Sequence, residues 1–177
     1  PDSGGTVTWY VTGAINLGAE SVVIGKMIST SGVITLGANA KSDDLTAEKA
    51  AITLGASARS GDLTSGAAIT LGAGAECGNV NAVEAVTLGA GAIVDGLREA
   101  GAAINMGAGC NVKGQSKAGA AITVGAGSFT SALCAGAAIT LGAGTEPKTD
   151  GASCNFLCSE EATAVCTNMK PEDACSK

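Results

Sequence analysis

From Ile15 onward the chain repeats a short apolar, polar, apolar triplet closed by Gly-Ala. Ile15-Asn-Leu-Gly-Ala and Ile34-Thr-Leu-Gly-Ala are followed by copies beginning at Ile52, Ile69, Val86, Ile104, Ile122 and Ile139. The intervals are 19, 18, 17, 17, 18, 18 and 17 residues. A fixed period decides the architecture before any local reading does. Seventeen to nineteen residues are too few for a pair of helices, and β-branched residues flanked by Gly disfavour a helix. Each copy is therefore expected to be one turn of a β-solenoid, with three short strands and three corners. The predicted fold is all-β, a three-faced parallel β-solenoid (β-helix) of about eight turns.

Alternation within the triplet turns its first and third residues inward and its middle residue outward. The inward column is Ile15, Ile34, Ile52, Ile69, Val86, Ile104, Ile122 and Ile139. Two residues past each Leu or its equivalent stands an Ala (Ala19, Ala38, Ala56, Ala73, Ala90, Ala108, Ala126, Ala143), which suits a tight inward corner. Ten residues past the outward position, Leu45, Leu63, Val80, Leu97 and Leu133 form a second apolar column that Gln115 interrupts. The outward ladder is Asn16, Thr35, Thr53, Thr70, Thr87, Asn105, Thr123 and Thr140, with mostly Ala two residues before and Gly two residues after. All 26 charged side chains lie outside these three columns, so this face is expected to be small, flat and uncharged. Turns rising ~4.8 Å each make it a strip roughly 34 Å long, a surface kept clear for contact.

Both ends depart from the repeat. Residues 1–11 read as an N-terminal lead ending in an extra strand, in which Val7, Trp9 and Val11 alternate with more polar neighbours and offer an assembly edge. The solenoid body is expected over 12–146 and a Cys-rich C-terminal cap over 147–177. Within the cap, Ser159 suits the start of a short helix reaching Cys166. Cys154, Cys158, Cys166 and Cys175 are the disulfide candidates, with three possible connectivities.

Composition narrows the function. The 177 residues are 46% hydrophobic but only 2% aromatic, so the core must be aliphatic and thin. Lys and Arg number 10 against 16 Asp and Glu, a net charge of −6 that argues against nucleic acid and against an anionic membrane surface. The absence of His removes Ser-His-Asp and Cys-His catalysis and histidine metal sites. No run of 18 apolar residues predicts membrane insertion, and no leader-like segment precedes Pro1, so the sequence reads as a mature exported chain. Seven cysteines point to an oxidising, extracellular or cell-surface location and leave at least one thiol outside an intrachain pair. Cys77, Cys110 and Cys134 fall on different columns and read as buried small residues, and one of them, or a tail cysteine, is a candidate for an intermolecular bond.

Other chemistry is weak. Gly109 to Ser116 imitates a phosphate loop, but Gln115 stands where Lys is required and no helix follows. The acidic pairs Asp43-Asp44, Glu160-Glu161 and Glu172-Asp173 read as solvated corners, and the tail cysteines lack a zinc knuckle. No cofactor, metal or catalytic residue is predicted, and no Asn-x-Ser/Thr sequon occurs.

The stretch Trp9-Tyr-Val-Thr-Gly-Ala-Ile-Asn-Leu-Gly-Ala-Glu-Ser21, then Gly25, then Ile34-Thr-Leu-Gly-Ala-Asn-Ala40, resembles the C-terminal half of the microbial ice-binding-protein-like domain. The resemblance implies a right-handed, three-faced solenoid, extracellular placement and, in some members, ice adsorption through a flat face. The family's N-terminal half and long helix have no counterpart here. Two functions compete on this basis. One is a non-enzymatic structural protein, a homo-polymer forming a filament or surface layer through its exposed first turn and flat face. The other is an ice-binding protein using the Thr ladder, with a surface glycan as a lesser possibility for the same strip.

Overall fold

The computed structural model describes residues 7–147 and a two-residue strand at 164–165. All of the regular structure in them is β, and every pairing is parallel. Face A stacks β1 (Thr8–Val11), β3 (Lys26–Ser29), β5 (Leu45–Ala47), β7 (Leu63–Ser65), β10 (Val80–Ala82), β13 (Arg98–Ala100), β16 (Ser116–Ala118) and β19 (Leu133–Ala135). Face B stacks β2 (Ile15–Leu17), β4 (Ile34–Leu36), β6 (Ile52–Leu54), β8 (Ile69–Leu71), β11 (Val86–Leu88), β14 (Ile104–Met106), β17 (Ile122–Val124) and β20 (Ile139–Leu141), with β22 (Ala164–Val165) added beyond β20. Face C holds β9 (Glu76–Cys77), β12 (Ile93–Val94), β15 (Asn111–Val112), β18 (Phe129–Thr130) and β21 (Glu146–Pro147). Bridges Val22↔Lys41, Lys41↔Arg59 and Arg59↔Glu76 carry face C down to the first turn. The chain is a three-faced β-solenoid of about seven turns, about 18 residues apart. Eight repeat copies separated by seven steps are the same count seen as copies and as intervals.

The inward Ile column is buried as predicted from Ile34 to Ile139. Four sequence expectations are corrected. The alanines at Ala19, Ala38, Ala56, Ala73, Ala90, Ala108, Ala126 and Ala143 are exposed, and the residues two further on, such as Ala40, Ala58 and Cys110, are the ones buried. Between them the backbone passes through positive φ, at Glu20 (61°), Asn39 (58°), Ser57 (54°) and then at Gly74, Gly91, Gly109, Gly127 and Gly144. This left-handed step swings the corner Ala to solvent and returns the next small residue to the interior.

The second column does not contain Leu97. Val80 pairs with Arg98 and Arg98 with Ser116, so Arg98 is wholly buried while Leu97 is 42% exposed. Two corners, Asp95-Gly96-Leu97 and Lys113-Gly114-Gln115, are one residue longer than Gly78-Asn79, and one added residue flips every following side chain to the other face. Third, Ala164 and Val165 form a strand in register with Ile139 and Thr140, where a helix was expected.

Fourth, Asp43 and Asp44 are not merely solvated. Asp43 Oδ2 accepts the Gly25 N–H at 2.7 Å from the turn below, and Asp44 Oδ1 accepts the Asp62 N–H at 2.9 Å from the turn above. Asp62 and Asn79 continue the series, accepting the Asn79 and Leu97 N–H groups, each at 2.8 Å. The corner between faces C and A is thus stapled by side chains where backbone pairing lapses.

Candidate functional site

Two surfaces stand out, the outward ladder of face B and the open first turn. The ladder is in unbroken register: Asn16, Thr35, Thr53, Thr70, Thr87, Asn105, Thr123 and Thr140 are each paired with the next. All are exposed except Thr35, which is half-buried. Three-residue strands keep the face short and regular. The Gly column beside it has a steric cause. A Cβ at Gly72 would lie 2.6 Å from the Gly55 carbonyl carbon and 2.7 Å from the Ala56 nitrogen. The glycines allow one turn to sit directly on another, so only the Thr ladder and the flanking Ala positions are free to serve recognition.

At the N-terminal end Trp9 pairs with Met27 and Val11 with Ser29, which places both at inward positions. Among the described residues no turn lies below them, and Trp9 is 51% and Val11 36% exposed, against 2% for Met27 and 0% for Ser29 one turn up. Val7 lies just before β1, is also exposed, and its carbonyl accepts the Lys26 N–H at 2.9 Å. Trp9 Nε1 donates to the Ile24 carbonyl at 3.3 Å.

Sequence reasoning identified Val7, Trp9 and Val11 but missed Tyr10, Val22 and Ile24, all strongly exposed at this end. The signal was available by aligning the first turn with the second. Val22 occupies the place of Lys41, and by the same register Ile24 that of Asp43. Positions that are charged in the next turn are apolar here.

Among the described residues the interior carries three perturbed groups. Burial pushes the Cys77 thiol up to about 12, an effect that Arg98 opposes and Asp62 and Asp95 reinforce. Burial also raises the Cys110 thiol and lowers Arg98 to about 10. Arg98 Nη2 donates to Ser116 Oγ at 2.6 Å and to the Gly114 carbonyl at 3.0 Å, whereas its Nε and Nη1 are buried without partners. Both thiols are free. A buried thiol held protonated is a poor nucleophile. Cys134 is half-buried on the outward side of β19 and is not free, which corrects its reading as a buried small residue. Cys154, Cys158, Cys166 and Cys175 lie outside the described residues.

Among the described residues no group of three or more His, Cys, Asp or Glu is placed to hold a metal ion. No helix among them is long and apolar enough to cross a membrane. Compared with protein-family models, with curated proteins and with solved structures, the chain matches none.

Proposed function

We propose that the chain is a non-enzymatic structural subunit that assembles with copies of itself, outside the cell or on its surface, into a filament or layer. The observation that carries this reading is the open first turn: inward-register Trp9 and Val11 half-exposed, beside apolar Val22 and Ile24 where the next turn has charge. An uncapped end of a parallel stack presents both unpaired backbone groups and uncovered side chains, and solenoids ordinarily hide such ends beneath a polar cap. The cysteine usage supports the oxidising location. The test is sedimentation and electron microscopy of the full chain beside Trp9→Asp/Val11→Asp. The wild type is expected to form oligomers that the double variant does not. Wild-type monomers at high concentration would overturn the reading.

A second reading rests on the face B ladder. Seven consecutive in-register steps of small hydroxyl or amide side chains at a spacing of ~4.8 Å form a regular, uncharged array suited to ordering water as an ice plane does. The resemblance of residues 9–40 to the microbial ice-binding-protein-like domain points the same way.

A further inference from the structure

The two ends of the stack are not alike. At the first turn Ile15 and Leu17 are only half-buried and Trp9 and Val11 half-exposed, whereas at the last turn Leu133, Ala135, Ile139 and Leu141 are all within 4% of complete burial. On face B the difference has a visible cause: β22 pairs with the outer edge of β20, Ala164 opposite Ile139 and Val165 opposite Thr140. That strand is parallel, as is every other strand in the sheet. It does not continue the repeat, since Ala164 lies 25 residues after Ile139 where the solenoid interval is 17 to 19.

The position β22 fills is the one that β2 of a second copy would take in head-to-tail stacking. Repeating the internal register across such a junction sets Ile15 on Ile139, Asn16 on Thr140 and Leu17 on Leu141, and on face A sets Trp9 on Leu133 and Val11 on Ala135. Inward apolar residues meet inward apolar residues, and the outward ladder runs on without a break. The described stack runs from β1 on face A to β21 on face C, so the next strand of the solenoid would again belong to face A. Resting on assembly through the open end, we infer that the C-terminal edge of β20 is the acceptor for β2 of another copy, and that β22 is an internal competitor that must be displaced before the next copy joins. A heterologous contact of this kind does not close and so propagates.

The experiment uses the full chain carrying Asn16→Cys and Thr140→Cys. In a head-to-tail junction these Cα atoms are about 4.8 Å apart, inside the disulfide range of roughly 4.4–6.8 Å. Non-reducing gels after mild oxidation are expected to show a ladder of dimers, trimers and higher species for the double variant and none for either single variant. Adding Ala164→Pro and Val165→Pro removes the ladder donors of β22 and is expected to speed cross-linking by about tenfold, the effect of one or two lost backbone hydrogen bonds on a competition. Cross-linked dimers from Asn16→Cys alone would mean that two first turns meet, which overturns the inference but keeps assembly. Cross-linking unaffected by the prolines overturns the competition. Monomers by sedimentation in every variant, the proline background included, would sink both the inference and the assembly reading.

Discussion

Replacing Arg98 with Leu is expected to make the protein more stable. The column it interrupts runs Met27, Leu45, Leu63, Val80, Arg98, Ser116 and Leu133, and Arg98 lies in it with no exposed surface. Two of its nitrogens, Nε and Nη1, are buried without partners, a burden of about 1–3 kcal/mol each. Leucine removes that cost and contributes ~1.5–3 kcal/mol of its own burial. Against this stand the two bonds made by Nη2 and the stranding of Ser116 Oγ, together about 4–9 kcal/mol. The terms nearly cancel, and what tips the balance is the desolvation of the guanidinium itself. Replacements of buried charge by apolar residues commonly gain about 1–4 kcal/mol, so we expect a gain of ~1–3 kcal/mol and a Tm higher by roughly 2–10 °C. Far-UV circular dichroism in urea is the appropriate assay, because the single Trp sits at the open end and reports poorly on the middle turns. The pH dependence adds a second check. Burial lowers Arg98 to about 10 from its ordinary value, so the folded state binds this proton less tightly than the unfolded state. The penalty is fully present below pH 10 and is relieved as pH rises above it toward the ordinary guanidinium value, so the advantage of Arg98→Leu should shrink as pH climbs past 10. A loss of more than about 1 kcal/mol would refute the reasoning and mean that the guanidinium has a counter-charge in solution.

Cys77 should behave in the opposite sense. Its thiol is raised to about 12 from 9.0, so the stability it contributes is complete below pH 9 and is lost as pH climbs to 12, about 4 kcal/mol at the limit. Comparing Cys77→Ala with wild type in urea at pH 8 and pH 11 should show a smaller drop for the variant, and native Cys77 should resist iodoacetamide at pH 8. For the face B ladder, Thr70→Lys at the middle of the strip is expected to abolish ice-crystal shaping if ice is the ligand, without changing the sedimentation coefficient. Unaltered shaping by that variant, or none by the wild type, removes the ice reading.

The period of the Ile-Thr-Leu-Gly-Ala motif was enough to read the solenoid, its inward Ile column and its outward Thr ladder, because each of these depends only on alternation within three residues. The errors arose where the chain was counted forward across corners. Counting ten residues from Thr87 arrives at Leu97, but two corners hold an extra residue, and the reliable ruler runs backward. Ser65, Ala82, Ala100, Ala118 and Ala135 each stand four residues before the next Ile or Val, which places Arg98 and Ser116 inside. The corner alanines were misread for a different reason. Ala favours neither side of a turn, and the left-handed residue that decides it is disguised as Glu20, Asn39 and Ser57 in the first three copies before Gly takes over. The Asp44, Asp62 and Asn79 staples were invisible because their partners are backbone amides one turn away, which no side-chain pattern records.

The stacking of turns also bears on how the molecule would carry load. Each turn pairs only with its immediate neighbours, so tension applied to the N-terminal residues meets one turn at a time rather than the whole stack. The first to yield would be the turn containing Trp9, whose strand pairs with β3 alone among the described strands. Releasing about 18 residues frees roughly 60 Å of extended chain while shortening the stack by only ~4.8 Å. A fibre of such units would lengthen by more than tenfold wherever turns open, and it would absorb work in small, repeated steps instead of breaking at once.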